Sequence, residues 1–115
     1  MEITIDQRAH VTVVAVAGSI DALTADALVL AMGEQMHAGN TRLVAAFDGV
    51  EYTSSAGLRV LLATLKEARQ RGGDLRLAAV QERVLRVLDL SGFTSILKCY
   101  PDVGAAVASF PSHHS

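Results

Sequence analysis

Apolar and polar residues alternate at the start of the chain, and the period then lengthens. Ile3 and Ile5 are spaced by single polar residues, and "HVTVVAVAG" is a run rich in β-branched residues that reaches Gly18. This pattern predicts two short strands, Ile3–Asp6 and His10–Ala17, paired as an antiparallel hairpin because so few residues separate them. In "LTADALVLAMGEQMHAGN" the apolar residues Leu28, Val29, Met32 and Met36 recur at helical spacing. Thr24 is the candidate N-cap, Asp26 complements the dipole in the first turn, and Gly39-Asn40 ends the helix.

"TRLVAAFDG" reads as a buried strand bounded by Asp48-Gly49. After it, Leu58, Leu61, Leu62, Leu65 and Ala68 fall on one helical stripe, stopped by Gly72-Gly73. "DLRLAAV" alternates as a strand. "QERVLRVLDLSG" is a helix with Val84, Val87 and Leu88 inward, and "SILKCY" is a short strand. "PDVGAAVASF" is a helix with Pro101 at N1 and an inward stripe of Val103, Ala106, Val107 and Phe110. The order β-β-α-β-α-β-α-β-α defines an α/β domain, a small mixed and largely parallel sheet with helices packed on it. The expected organisation is one domain over residues 1–110, with a frayed tail at residues 111–115 inside "FPSHHS".

Composition narrows the function. Half of the residues are hydrophobic but only 4% are aromatic, so Leu, Val, Ala and Ile build the core, with Met32 and Met36 as gap-fillers. The net charge of -2 supplies no bulk basic field for nucleic acid. The lone Cys99 has no disulfide partner and reads as a small buried hydrophobe. The N-terminus lacks the charged and apolar regions of a signal peptide, and no run is long enough to span a bilayer. A cytoplasmic protein without membrane insertion is expected. No cofactor motif is present, and His113-His114 in the tail do not make a metal site.

The chemistry concentrates at "EYTSSAGLRV". Val50 and Tyr52 are apolar and the leucine stripe begins at Leu58, so the strand-to-helix junction is Thr53 to Gly57. Ser54 or Ser55 can cap the helix by accepting a free backbone N–H. A nucleophile elbow also puts a serine on such a turn, but it wants glycine where Thr53 stands. None of His10, His37, His113 and His114 follows a late strand as a triad histidine would. A phosphate-cradling loop would need glycines and a Lys-Ser/Thr end that "TSSAGLRV" lacks. A regulatory phosphorylation site fits the chemistry, because a helix start tolerates added negative charge.

These residues resemble the STAS domains of bacterial anti-sigma factor antagonists. "FDGVEYTSSAGLRVLLATLKEARQRGGDLRLAAV" is similar to that family's central block, "VAGSIDALTADAL" to its first strand-to-helix stretch, and "VLRVLDLSGFTSILKCYPDVGAAV" to its close. The likeness runs from about Ile3 to Val107. It implies a non-enzymatic switch. The unphosphorylated form binds an anti-sigma factor that is also a serine kinase and so releases a sigma factor. That kinase phosphorylates the antagonist, and a metal-dependent serine phosphatase reverses it. By motif match the acceptor is Ser55, with Ser54 as a competing acceptor. The family's common Asp-Ser-Ser-Gly-Leu is replaced by Ser54-Ser55-Ala56-Gly57-Leu58. Asp21 matches the family's acidic residue near the binding face. The implied partner surface is Asp21, Thr24, Thr53, Ser54, Ser55, Ala56, Gly57 and Leu58, on a monomer or weak dimer. An alternative is a STAS subunit of another assembly, such as a lipid-transport complex or a signalling scaffold, that works without phosphorylation.

Overall fold

The computed structural model describes residues 1–111. The chain runs β1 (Glu2–Arg8), β2 (Val11–Ile20), α1 (Ala22–His37), β3 (Arg42–Thr53), α2 (Ser55–Gln70), β4 (Asp74–Ala78) and α3 (Glu82–Leu90), then a 3-10 turn (Phe93–Ser95), β5 (Cys99–Tyr100) and α4 (Val103–Ser109). In space the strands lie in chain order, β1-β2-β3-β4-β5. β1 is antiparallel to β2 and the other neighbours are parallel. A sheet that grows in one direction through right-handed crossovers must place every crossover helix on the same face. Accordingly α1, α2 and α3 bury Leu28, Met32, Leu61, Leu65, Val84 and Leu88 in one core with Phe47, Leu75 and Leu77. α4 covers the other face, where Ala106 and Phe110 meet Val11, Val13, Val44, Ala46 and Ala78.

The α/β order and mixed sheet agree with the sequence pattern, and the differences lie mostly at ends. β1 pairs through Arg8↔Val11, so His10 sits in the turn rather than opening β2. Ala9 takes the left-handed φ of 55° that the turn demands. β2 does not stop at Gly18. Gly18 adopts φ 109°, two register shifts follow Ala15, and pairing resumes through Ser19↔Tyr52 and Ile20↔Thr53. That extra partner strand also carries β3 past Asp48-Gly49 to Thr53.

On α1 the buried face is Ala25, Leu28, Met32 and Met36, and Val29 is 50% exposed. The α2 face turns away from Leu58 and Leu62, which are only partly buried, toward Gly57, Val60 and Thr64. Val87 points outward from α3, leaving Val84 and Leu88 to hold it. "SILKCY" is mostly not strand. Leu97 donates its N–H to the Phe93 carbonyl at 2.8 Å, and only Cys99 and Tyr100 reach β4. Pro101 precedes the α4 cap instead of occupying N1. Asp102 is the cap, accepting the Ala105 N–H at 2.7 Å. Order also continues beyond Val107, because Phe110 is buried and packs under the Arg76 guanidinium, 4.1 Å from its ring centre. His113 and His114 lie outside the described residues. Cys99 is half-buried, and burial, aided by the charge of Asp89, pushes its thiol pKa up, away from the reactive thiolate.

Asp74 clamps the start of β4. It accepts from Arg69 and from Arg76, both at 2.9 Å, and Arg76 goes on to donate to the Ser109 hydroxyl at 2.7 Å. Burial alone would raise the Asp74 carboxyl, but the hydrogen bonds from Arg76 and Arg69 outweigh it and hold it below the usual carboxylate range. A depressed folded pKa means stability that is complete above the unfolded pKa and lost as pH falls through the folded one. Asp74→Ala is expected to lower stability by about 2 kcal/mol at pH 7, since it strands the nearly buried Arg76. Urea unfolding at pH 7 and again below pH 4 checks it, because the gap between wild type and variant must narrow in acid.

Candidate functional site

Two helix starts stand side by side at the C-terminal ends of β2 and β3. Ile20 is the register partner of Thr53, and the Ser54 N–H donates to the Ile20 carbonyl at 2.8 Å. The next residue on each chain segment is a cap. Asp21 caps α1, its Oδ1 accepting from the Leu23 and Thr24 N–H groups at 3.0 and 2.9 Å. Thr24 is therefore not the N-cap expected from the sequence. It occupies the fourth position of a capping box, its Oγ1 accepting from the Asp21 N–H at 2.8 Å and donating to the Ser19 carbonyl at 2.9 Å. The Asp21 carboxyl is held below the usual range, first by the Thr24 N–H and then by the Thr24 hydroxyl, so it is charged at neutral pH.

Ser54 caps α2, accepting the Gly57 N–H at 3.4 Å. Ser55 is the first helical residue, and its exposed side chain makes no hydrogen bond among the described residues. The two serines thus divide the roles that the sequence left shared. One hydroxyl is committed to the helix and the other is free. Gly57 lets α2 descend onto the strand ends. A Cβ there would run into Thr53 Oγ1 and lie 2.8 Å from Ile20 Cγ2. Thr53 and Gly57 are buried, so they shape the site from beneath. Asp21, Thr24, Ser54, Ala56 and Leu58 are partly exposed around Ser55.

The pattern along the sequence did not reveal two residues on these two helices. Leu23, at the second position of α1, is 86% exposed, and its only signal is that it falls off the apolar stripe. Arg59 follows Ser55 by one helical turn and lines a cleft of about 410 Å³ between α1 and α2, with Ala22, Asp26, Val29, Ala56 and Ala63. The free N–H groups of the α2 start carry a positive partial charge, while at the α1 start the Asp21 carboxylate offsets it. Neither His10, in the hairpin turn, nor His37, whose Nδ1 lies 2.9 Å from the Gly33 carbonyl, hydrogen bonds to Ser54 or Ser55.

A hydroxyl with no hydrogen bond among the described residues thus stands exposed at one capped helix start, beside a second. The chain belongs to the STAS domain family, whose model matches residues 2–106. The anti-sigma-B factor antagonist of Bacillus subtilis is 31% identical over 102 residues, covering 84% of this chain and 90% of that protein. BtrV of Bordetella bronchiseptica, provisionally named an anti-sigma factor antagonist, is 33% identical over 110 residues, covering 96% and 95%. An anti-sigma factor antagonist from Mycobacterium paratuberculosis, solved by crystallography, superposes with a TM-score of 0.86 at 29% identity, covering 94% and 92%. The Bacillus protein SpoIIAA, solved in a phosphorylated form, shares the fold at a TM-score of 0.73. No helix among the described residues is long and apolar enough to cross a membrane.

Proposed function

We propose that this protein is an anti-sigma factor antagonist whose docking surface is switched by phosphorylation of Ser55. In the unphosphorylated state the surface around Ser55 binds an anti-sigma factor with serine kinase activity and so frees a sigma factor. The observation that carries this reading is the free, exposed hydroxyl of Ser55 at the α2 start, beside the α1 start. The relatives named as anti-sigma factor antagonists support the role. A phosphate adds about -1.5 to -2 charge. The α2 start favours that charge, and Arg59 stands at the i+4 spacing where side chains on a helix meet. Phosphorylation therefore leaves the fold intact and changes only what docks on it. A metal-dependent serine phosphatase would return the hydroxyl form.

Site mapping of protein recovered from its native cells, before and after phosphatase treatment, tests the reading. One removable phosphate on Ser55 is expected. Ser54→Ala should keep that phosphate while losing about 0.5–1 kcal/mol of stability, the usual worth of a serine cap. Phosphate on Ser54 would move the switch, and none under any growth condition would overturn it.

A further inference from the structure

β1 is the open edge of the sheet. Its seven residues pair with β2 without a register shift, and six of them are exposed. The opposite edge, β5, is only two residues long. Proteins shield edge strands by shortness, proline, a bulge, a covering element or charged side chains. Of these β1 shows only charge among the described residues. That charge repels a chance partner, but it is placed symmetrically. Glu2 and Arg8 stand equally far on either side of Ile5, and Thr4 and Asp6 are its neighbours.

We propose that β1 is a self-complementary edge through which two copies of this chain pair, antiparallel, about a two-fold axis at Ile5. Glu2 then faces Arg8 of the partner subunit, twice, and Thr4 faces Asp6 of the partner subunit, twice. Ile5, now 40% exposed, is covered by Ile5 of the partner subunit.

The register is selective. An axis normal to the sheet keeps each side chain on its own face, so facing residues must both be even-numbered or both odd-numbered. The nearest permitted register on one side sets Glu2 against Asp6, and the nearest on the other sets Asp6 against Asp6. Like charges directly opposite repel. Only the register at Ile5 joins opposite charges and uses all seven residues. The present contact of Arg8 with Asp6, 3.3 Å and largely exposed, is weak enough to exchange.

A single strand edge buries less than the roughly 1,200–2,000 Å² of a stable interface, so the dimer is weak and concentration-dependent. The two-fold sends the β2 and β3 ends of the copies in opposite directions, leaving both Ser55 surfaces free. The pairing does not depend on the role proposed for Ser55.

Sedimentation equilibrium of the full chain with a native N-terminus, from micromolar to millimolar at low salt, tests it. The weight-average mass should climb from the 12.1 kDa of one chain toward twice that value. Glu2→Arg and Arg8→Glu should each raise the dissociation constant at least about tenfold, because two attractive pairs become two repulsive ones. The double variant should restore the wild-type constant. Circular dichroism confirms that each variant is folded. A mass that stays monomeric, a dimer indifferent to both reversals, or a double variant as weak as the singles overturns the proposal.

Discussion

Ser55→Asp is expected to weaken binding of the anti-sigma partner by about a hundredfold or more, without lowering the stability of the fold. Docking must strip water from whatever stands at Ser55. A hydroxyl loses little and finds a partner easily. A carboxylate that the partner meets with no cation of its own costs several kcal/mol to bury, and each ~1.4 kcal/mol is tenfold in affinity. The same charge sits at the first position of α2, where a helix favours an anion by about 0.3–1 kcal/mol, so Tm should hold or rise slightly. Ser55→Ala should bind within a few-fold of wild type and accept no phosphate. Titration calorimetry on both variants, with thermal unfolding alongside, reads the two effects apart. Equal affinities for the Asp and Ala variants would show that charge at this position does not control docking.

Phe47→Ala is expected to remove about 3–5 kcal/mol, a large share of the roughly 5–15 kcal/mol that holds a domain together. Phe47 is fully buried in β3 and leads the largest buried side chains. Truncation to alanine leaves a void between the sheet and the layer formed by α1, α2 and α3, and a close-packed core collapses only partly into it. Urea unfolding measures the loss as a lower midpoint with an unchanged slope. Val29→Ala offers the contrast. Helical spacing places Val29 with the core, but it is half exposed, so its truncation should cost under about 1 kcal/mol. Comparable losses for the two would contradict the packing described.

The element order and the Thr53–Gly57 junction were legible because both rest on local signals, a change of hydrophobic period and a run of small polar residues. Cap identities were not. Asp21 and Thr24 are both good capping types, and the box they form has threonine where glutamate or glutamine is the usual signature, so composition alone could not order them. Strand ends were misread wherever pairing overrode a breaker. Gly18 and Asp48-Gly49 look like stops, yet β2 and β3 supply each other with partners as far as Ile20 and Thr53. "SILKCY" failed the other way. Its β-propensity is real, but β4 offers a partner only to Cys99 and Tyr100. The Ser55 hydroxyl is left without a partner among the described residues because Ser54 takes the cap, and two adjacent serines do not say which will.

The agreement between strand order in space and strand order along the chain has a consequence for how the protein is made. A polypeptide emerging from the ribosome exposes its segments in sequence. Here each new strand finds its docking edge already built by the strand before it, and none must wedge between two that have already joined. The hairpin is the first unit the chain completes, and each strand–helix unit that follows can extend it. β1 apart, each edge waits only for the next strand–helix unit and not for a distant segment, which limits how long it can capture a neighbouring chain during synthesis.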